Sequence, residues 1–301
     1  MGRKVLRAIL FYNPAARGPR SGLERKLESI ASRFRAHNSL LDTVAIEGPG
    51  HVLETGEDRC SRGYDLLIAW GGDGTVNEVG NVASRLQLPI GILPGGTINL
   101  LADELGIPSS FELACEVLLT GKRRTLKAGR ADGRLFFAMA GIGFDAEVCR
   151  KVSATSKRLL GSLAFVATGL RALPFYGFPT ISVHCDGISF NGTQIILSNI
   201  PRYACSLRLA PAADPSGPAL DLGVLKAYSA FGYLGFFAQL LLFGLHSRPP
   251  EWTHYKGWTF ALTSNDPVPV QLDGEPHGTL PMDFEVVPDA LEALVSQDPP
   301  P

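Results

Sequence analysis

No two of the five cysteines in this 301-residue chain are grouped as a C-x-x-C pair. Cys60, Cys115, Cys149, Cys185 and Cys205 stand singly. That spacing argues against a disulfide framework or thiolate metal site and for isolated thiols in a reducing, cytoplasmic setting. A basic excess is also missing. With 28 Lys+Arg against 29 Asp+Glu the formal charge is −1, which excludes a mainly nucleic-acid-binding protein. After Arg3 and Lys4 a short apolar run leads directly to Asn13-Pro14 with no small-residue cleavage site, so no signal peptide is expected. G-x-S-x-G and H-E-x-x-H are absent and the six histidines are dispersed, which leaves triad hydrolysis and zinc proteolysis without support. There is no internal repeat.

Two regions lack charge of a particular kind. Residues 257–301 contain eight acidic side chains and neither Lys nor Arg, whereas the first 35 residues hold nine basic side chains against Glu24 and Glu28. The value of −1 is therefore an average over a polar distribution. Residues 227–247 contain no Asp, Glu, Lys or Arg. A membrane span needs about 20 apolar residues, but Gly232, Gly235, Gly244 and Gln239 dilute this stretch. A buried or interfacial helix is the expectation.

What is present reads as two domains, and 45% hydrophobic residues supply enough apolar material for a core. Up to about residue 128, strand and helix signals alternate: strands at 5–11, 43–46, 66–70 and 89–93, helices at 23–34 and 75–86. Short apolar strands separated by helices predict a parallel sheet covered by helices, with ligands beyond the carboxyl ends of the strands. From residue 129 the strands are short and β-prone, at 135–140, 180–185, 194–198, 220–227, 258–263 and 268–272. Asp186-Gly187 and Asn191-Gly192 are hairpin signals between them. Helical patterns at 156–172 and in the uncharged stretch interrupt this antiparallel β domain. The 299–301 proline run is expected to be a frayed tail.

Two glycine-rich turns each follow a predicted strand and open a predicted helix. They are Gly71-Gly72-Asp73-Gly74-Thr75-Val76-Asn77-Glu78-Val79 and Pro94-Gly95-Gly96-Thr97-Ile98-Asn99-Leu100-Leu101-Ala102. Glycine lets backbone N–H groups approach a phosphate, and a helix N-terminus favours the anion. The hydroxyls of Thr75 and Thr97 add donors. Neither turn is a Walker A loop or a G-x-G-x-x-G fingerprint. A carboxylate repels phosphate, so Asp73 makes sense if it meets Mg²⁺, directly or through water, or accepts a proton. A single turn of this kind is an ordinary strand-to-helix connection as readily as a ligand site; two in succession point to nucleotide phosphates.

GGDGTVNEV followed by PGGTINLLA resembles the superfamily of bacterial diacylglycerol kinase-like enzymes, diacylglycerol kinases, and sphingosine and ceramide kinases. The resemblance extends to Phe11-Tyr12-Asn13-Pro14-Ala15, to Thr43 with Gly48 and His51, to Gly141-Ile142-Gly143-Phe144-Asp145-Ala146, and to Gln271-Leu272-Asp273-Gly274-Glu275. It implies an α/β nucleotide-binding domain at 1–128, a β-sandwich domain at 129–285, and a segment at 286–301 returning to the first domain. The active site is expected in the cleft between domains. The implied reaction is ATP-dependent phosphorylation of a lipid hydroxyl, on diacylglycerol or a sphingoid base, with Mg²⁺. Asn13, Thr43, Gly71, Gly72, Asp73, Gly74, Thr75 and Thr97 would hold ATP, and Asp145 would face the acceptor. For Asn13, a turn before Pro14 is an equally good local reading.

The resemblance also implies that Asp273 and Glu275 lie at the reacting centre, with Glu275 as general base and Asp73 as its competitor; Asp273-Gly274 is equally a hairpin signal. Asp145 is otherwise a solvent-facing loop carboxylate. Two departures stand out. Asn99 is followed by Leu100 where many diacylglycerol kinases have Asp, and residues 210–221 lack the acidic pair of a structural Mg²⁺ site. No such metal site is expected here. Phe231, Phe236, Phe237, Leu240 and Phe243 are read either as domain core or as an acyl-chain or membrane contact. A membrane lipid is thus the expected partner, with peripheral membrane association; a homodimer is left open. The alternatives are a soluble-substrate kinase related to NAD kinases, which share a GGDGT-type loop, and a nucleotide-binding regulator without catalysis.

Overall fold

The computed structural model, which describes residues 5–14, 20–60, 63–153, 161, 163–203, 207–243 and 251–297, divides into two units. The first comprises residues 1–126 and 289–301, the second residues 127–288. Cys205, the starts of the helix expected from 156 and of the chain, residues 244–247 and the 299–301 tail lie outside the described residues.

The first unit alternates β1 (Arg7–Tyr12), α1 (Arg20–Ala36), β2 (Leu40–Ala45), α2 (His51–Cys60), β3 (Leu66–Gly71), α3 (Asp73–Leu86), β4 (Ile90–Pro94), α4 (Leu100–Glu104) and α5 (Phe111–Thr120). The strands pair in parallel in the order β2-β1-β3-β4. All six residues of β3 are buried. This is why its sequence is a continuous apolar run: a central parallel strand is covered on both faces. β2 corrects the expectation of a buried strand. It sits at the sheet edge with Leu40 and Thr43 exposed and, among the described residues, has only β1 as a neighbouring strand.

β5 (Lys122–Ala131) takes the chain into the second unit, followed by β6 (Arg134–Phe136), β7 (Met139–Gly143), α6 (Phe144–Lys151), α7 (Leu163–Ala172), and a 3₁₀ turn at Leu173–Phe175. Then come β8 (Ile181–Cys185), β9 (Ile188–Gly192), β10 (Gln194–Ser198), β11 (Leu220–Leu225), α8 (Ala230–Phe243), β12 (Trp252–Gly257), β13 (Thr259–Thr263), β14 (Pro269–Leu272), β15 (Glu275–Thr279) and β16 (Met282–Val295). One antiparallel sheet runs β12-β11-β10-β7-β14-β15. In a second layer β13 pairs antiparallel with β8 and with Met282–Glu285, and β9 pairs with β8. Ile142, Ile195, Leu222 and Leu272 of the first layer share a core with Ile181, Val183, Phe260, Leu262 and Phe284 of the second. Farther along β16, Ala293 lies parallel to Ile90 of β4 within the first unit.

Two strand-level expectations change. The run at 135–140 is not one strand but β6 and β7, because the amides of Phe137, Ala138 and Met139 turn to the Asp273 carboxylate. Asn191-Gly192 is no hairpin turn: both residues are paired with β8 inside β9. Asp186-Gly187 does turn a hairpin, both residues taking positive φ between Cys185 and Ile188. Among the described residues, no helix is long and apolar enough to cross a membrane.

Candidate active site

In the first unit the two glycine turns form one structure. Gly71 pairs with Pro94 across β3 and β4, and the Gly95 N–H donates to the Gly71 carbonyl at 2.8 Å. A Cβ on Gly96 would lie 2.4 Å from the Gly72 Cα. The glycines are thus required for loop-on-loop contact, whatever they also offer a ligand. Asn99 takes a left-handed backbone (φ 55), and its Oδ1 accepts the Gly96 N–H at 2.9 Å. Its own N–H donates to Asp73 Oδ2 at 3.1 Å. Asp73, out of place on anion-binding grounds alone, therefore ties the first turn to the second.

The helices after these turns differ. α3 has 14 residues and begins at Asp73, so the amides of its first turn have no acceptor within the helix and face the turn. α4 has only five residues, so the second turn contributes packing and the exposed Thr97 rather than a helix dipole. Gly71, Gly72, Gly74 and Thr75 stand at the start of α3. Asn13 leaves β1 at the same level, since Tyr12 lies opposite Trp70 and the Asn13 N–H donates to the Trp70 carbonyl. Thr43 is not brought there. It lies opposite Leu10, two positions before Ala45 meets Tyr12, roughly 7 Å of strand short of that edge. Within the same motif Glu78 serves a different end. Its carboxylate accepts the N–H groups of Gly50 (2.7 Å) and Val52 (3.2 Å), capping α2.

In the second unit Asp273 and Gly274 form a two-residue turn, φ 49 and 85, joining Leu272 to Glu275. The Asp273 carboxylate accepts N–H groups from Phe137 (2.8 Å), Ala138 (2.8 Å) and Met139 (2.9 Å). Glu275 is half-buried as the first residue of β15. Asp145, in the first turn of α6, is half-buried rather than solvent-facing. Its Oδ1 accepts from the Tyr203 hydroxyl at 2.8 Å and its Oδ2 from Gln271 Nε2 at 2.9 Å. Burial pushes the Asp145 carboxyl above the usual carboxylate range, and these two donors pull against that rise. Asp145, Gln271, Asp273 and Glu275 are therefore neighbours along one pair of strands and the helix packed on them.

Residues 7–131 match the diacylglycerol kinase catalytic domain, and residues 138–295, over half of the chain, match the YegS C-terminal NAD kinase beta sandwich-like domain. The chain belongs to the diacylglycerol kinase-like family. It is 29% identical over 283 residues to a diacylglycerol kinase of Bacillus subtilis (strain 168), covering 92% of each chain. To a diacylglycerol kinase of Staphylococcus carnosus (strain TM300) it is 26% identical over 296 residues, covering 97% of this chain and 96% of that one. A solved diacylglycerol kinase structure from Bacillus anthracis str. Sterne superposes with a TM-score of 0.77 at 21% identity, over 98% of this chain and 99% of that one. At that identity the likeness establishes the fold: an α/β unit followed by an antiparallel β unit.

For this family member, sequence reasoning passed over Asn99, Tyr203 and Gln271 as site residues. Gln271 carried a signal, being a long polar side chain in a strand whose neighbours Val270 and Leu272 are buried apolar residues. Tyr203 carried none, because 58 residues separate it from the Asp145 carboxylate it meets.

Proposed function

We propose that this protein transfers the γ-phosphoryl group of ATP to a hydroxyl of a membrane lipid. The observation that carries the lipid half of this reading is α8, which is apolar on both faces. Tyr233, Phe236 and Leu240 are buried in a core shared with α6 and α7. Phe231 (87% exposed), Leu234, Leu241 and Leu242 form an outward stripe with no charged residue in the helix. On α7, Leu163, Val166 and Leu170 make a second outward stripe, and Phe175 just beyond it is 87% exposed. A helix apolar all round requires a covering apolar phase, and a lipid surface provides one.

The nucleotide half rests on the fused turns. Gly71, Gly72, Gly74, Thr75 and Thr97 present backbone and hydroxyl donors, with Asn13 beside them, for the phosphates of ATP. Among the described residues no group of three His, Cys, Asp or Glu could hold a metal ion. The ion is assigned to the nucleotide, where Asp73, beside the glycine turns, would meet it directly or through water. Bound there, Mg²⁺ would offset phosphate charge. Glu275 takes the proton of the acceptor hydroxyl as the oxygen bonds to the γ-phosphorus, while the bond from that phosphorus to the β–γ bridging oxygen breaks and ADP departs. Asp145 is assigned to the acceptor. Asp273, already accepting three amides, is assigned to holding the Glu275 turn rather than to proton transfer.

The match of the second unit to an NAD kinase-like sandwich favours one other reading, a soluble acceptor. Incubation of the purified protein with γ-labelled ATP, lipid in mixed micelles and NAD separates the two. Label in the organic extract is the expected result; label in NAD alone overturns the lipid assignment.

A further inference from the structure

Gln271 is 2% exposed, and both ends of its side-chain amide are used. Nε2 donates to Asp145 Oδ2 at 2.9 Å, and Oε1 accepts the Gly274 N–H at 2.6 Å. Because the amide is rigid and planar, these two bonds fix the Asp145 carboxylate relative to the turn that leads into Glu275. Gly141 keeps the crossing open. It lies opposite Gln271 in the β7–β14 register, and a Cβ there would sit 1.7 Å from Asp145 Oδ2 and 2.5 Å from Gln271 Nε2. Tyr203 holds the second Asp145 oxygen at 2.8 Å, so the carboxylate cannot rotate without losing a partner.

We propose that Gln271 is a positioning residue that makes the Asp145 carboxylate and the Glu275-bearing turn a single unit, so that acceptor contact and proton acceptance are set together. This rests on the lipid-kinase reading of Asp145 and Glu275; the bridge itself is a physical coupling that exists with or without it. Neither Asp145 nor Glu275 needs to touch the other, since the amide transmits the geometry. The turn is otherwise anchored on its far side by Asp273, whose carboxylate is spent on the 137–139 amides. Gln271 is thus the side chain that refers the turn to α6.

The test has a structural and a kinetic arm. In hydrogen exchange on the full chain, Gln271→Leu should speed exchange of the Gly274 amide severalfold. Asp145→Ala should do so too, although Asp145 does not touch Gly274, because it frees the other end of the amide. Unchanged Gly274 exchange in Asp145→Ala overturns the coupling. In the micelle assay, Gln271→Leu should lower kcat about a hundredfold, the scale of a misplacement near 1 Å, with the KM for ATP held within twofold. Gln271→Glu is the control should Gln271→Leu fold poorly. Its carboxylate still accepts from Gly274 but cannot donate to the Asp145 carboxylate, so Gly274 exchange should speed as in Asp145→Ala while kcat falls. Full kcat in Gln271→Glu overturns the proposal. If the wild-type protein phosphorylates no lipid yet the exchange coupling is present, the functional reading falls and the bridge stands. An active wild type with neither arm moved by Gln271→Leu disposes of the bridge alone.

Discussion

Single carboxylates in this protein have unlike duties that their local sequence does not distinguish. Asp73 and Glu78 stand in one motif, yet one accepts a backbone N–H from the neighbouring turn and the other caps a helix. Asp273 and Glu275 are two residues apart, yet three amides occupy the first while the second begins a strand. The assignment of the base to Glu275 predicts a contrast. Glu275→Gln should lower turnover by about 10²–10⁴-fold, the range of general-base catalysis, with nucleotide affinity retained. Asp73→Asn, which can still accept the Asn99 N–H, should cost turnover less than Asp73→Ala, which cannot. Steady-state rates with ATP titrations decide it; near-normal turnover in Glu275→Gln would move the base role to Asp73. The motif residues themselves were legible in the sequence because glycine and carboxylate patterns are local. Their partners were not, since Asn99 is 26 residues from Asp73 and Phe137 is 136 from Asp273.

At the level of elements, the parallel strands were readable because a strand buried on both faces must be a continuous apolar run, as β3 is. Edge position was not: Asp42 and Thr43 in β2 are compatible with more than one place in a sheet, and the sheet order shows that among the described residues β2 has β1 alone beside it. The break between β6 and β7 is likewise a tertiary effect, imposed by Asp273. Asp273→Ala would leave the Phe137, Ala138 and Met139 amides without that acceptor. At about 1–3 kcal/mol for each buried donor left unsatisfied, a loss of several kcal/mol is expected, read as a lower denaturation midpoint with the far-UV spectrum retained below it. For α8 the prediction concerns surfaces. Phe231→Ser and Leu241→Ser should each weaken vesicle binding about tenfold or more, following from roughly 1.5–3 kcal/mol per buried apolar side chain, while the phosphorylation of a short-chain, water-dispersed acceptor is preserved. Unaltered vesicle sedimentation would remove the stripe from the lipid reading.

Over the whole chain, net charge near zero conceals both the polarity noted in the sequence and a buried cluster in the second unit. Lys127 is 3% exposed and its ammonium donates to the Asp214 carbonyl. Asp221, 1% exposed, meets His254 Nε2 at 2.7 Å and Lys256 Nζ at 3.8 Å. Burial, only partly offset by Asp214 and Asp221, lowers the Lys127 ammonium from 10.5 to about 8. Between those two values the unfolded chain holds the proton that the folded protein has released. Stability contributed by this group therefore rises as pH goes from about 8 to about 10.5, by up to about 3 kcal/mol. Wild-type minus Lys127→Met stability, measured by denaturant unfolding across that interval, should show the rise; a flat difference would refute it. Strand periodicity, turn glycines and motif spacing are short-range properties, so the two-part architecture, the paired glycine turns and the kinase family can be read from the order of residues alone. Which carboxylate is tied to which amide, the bridge from Asp145 through Gln271 to the Glu275 turn, and which face of α8 is exposed are set by the folded chain. Those depend on contacts between residues tens to more than a hundred positions apart, which chain closure and core packing select and local sequence does not encode.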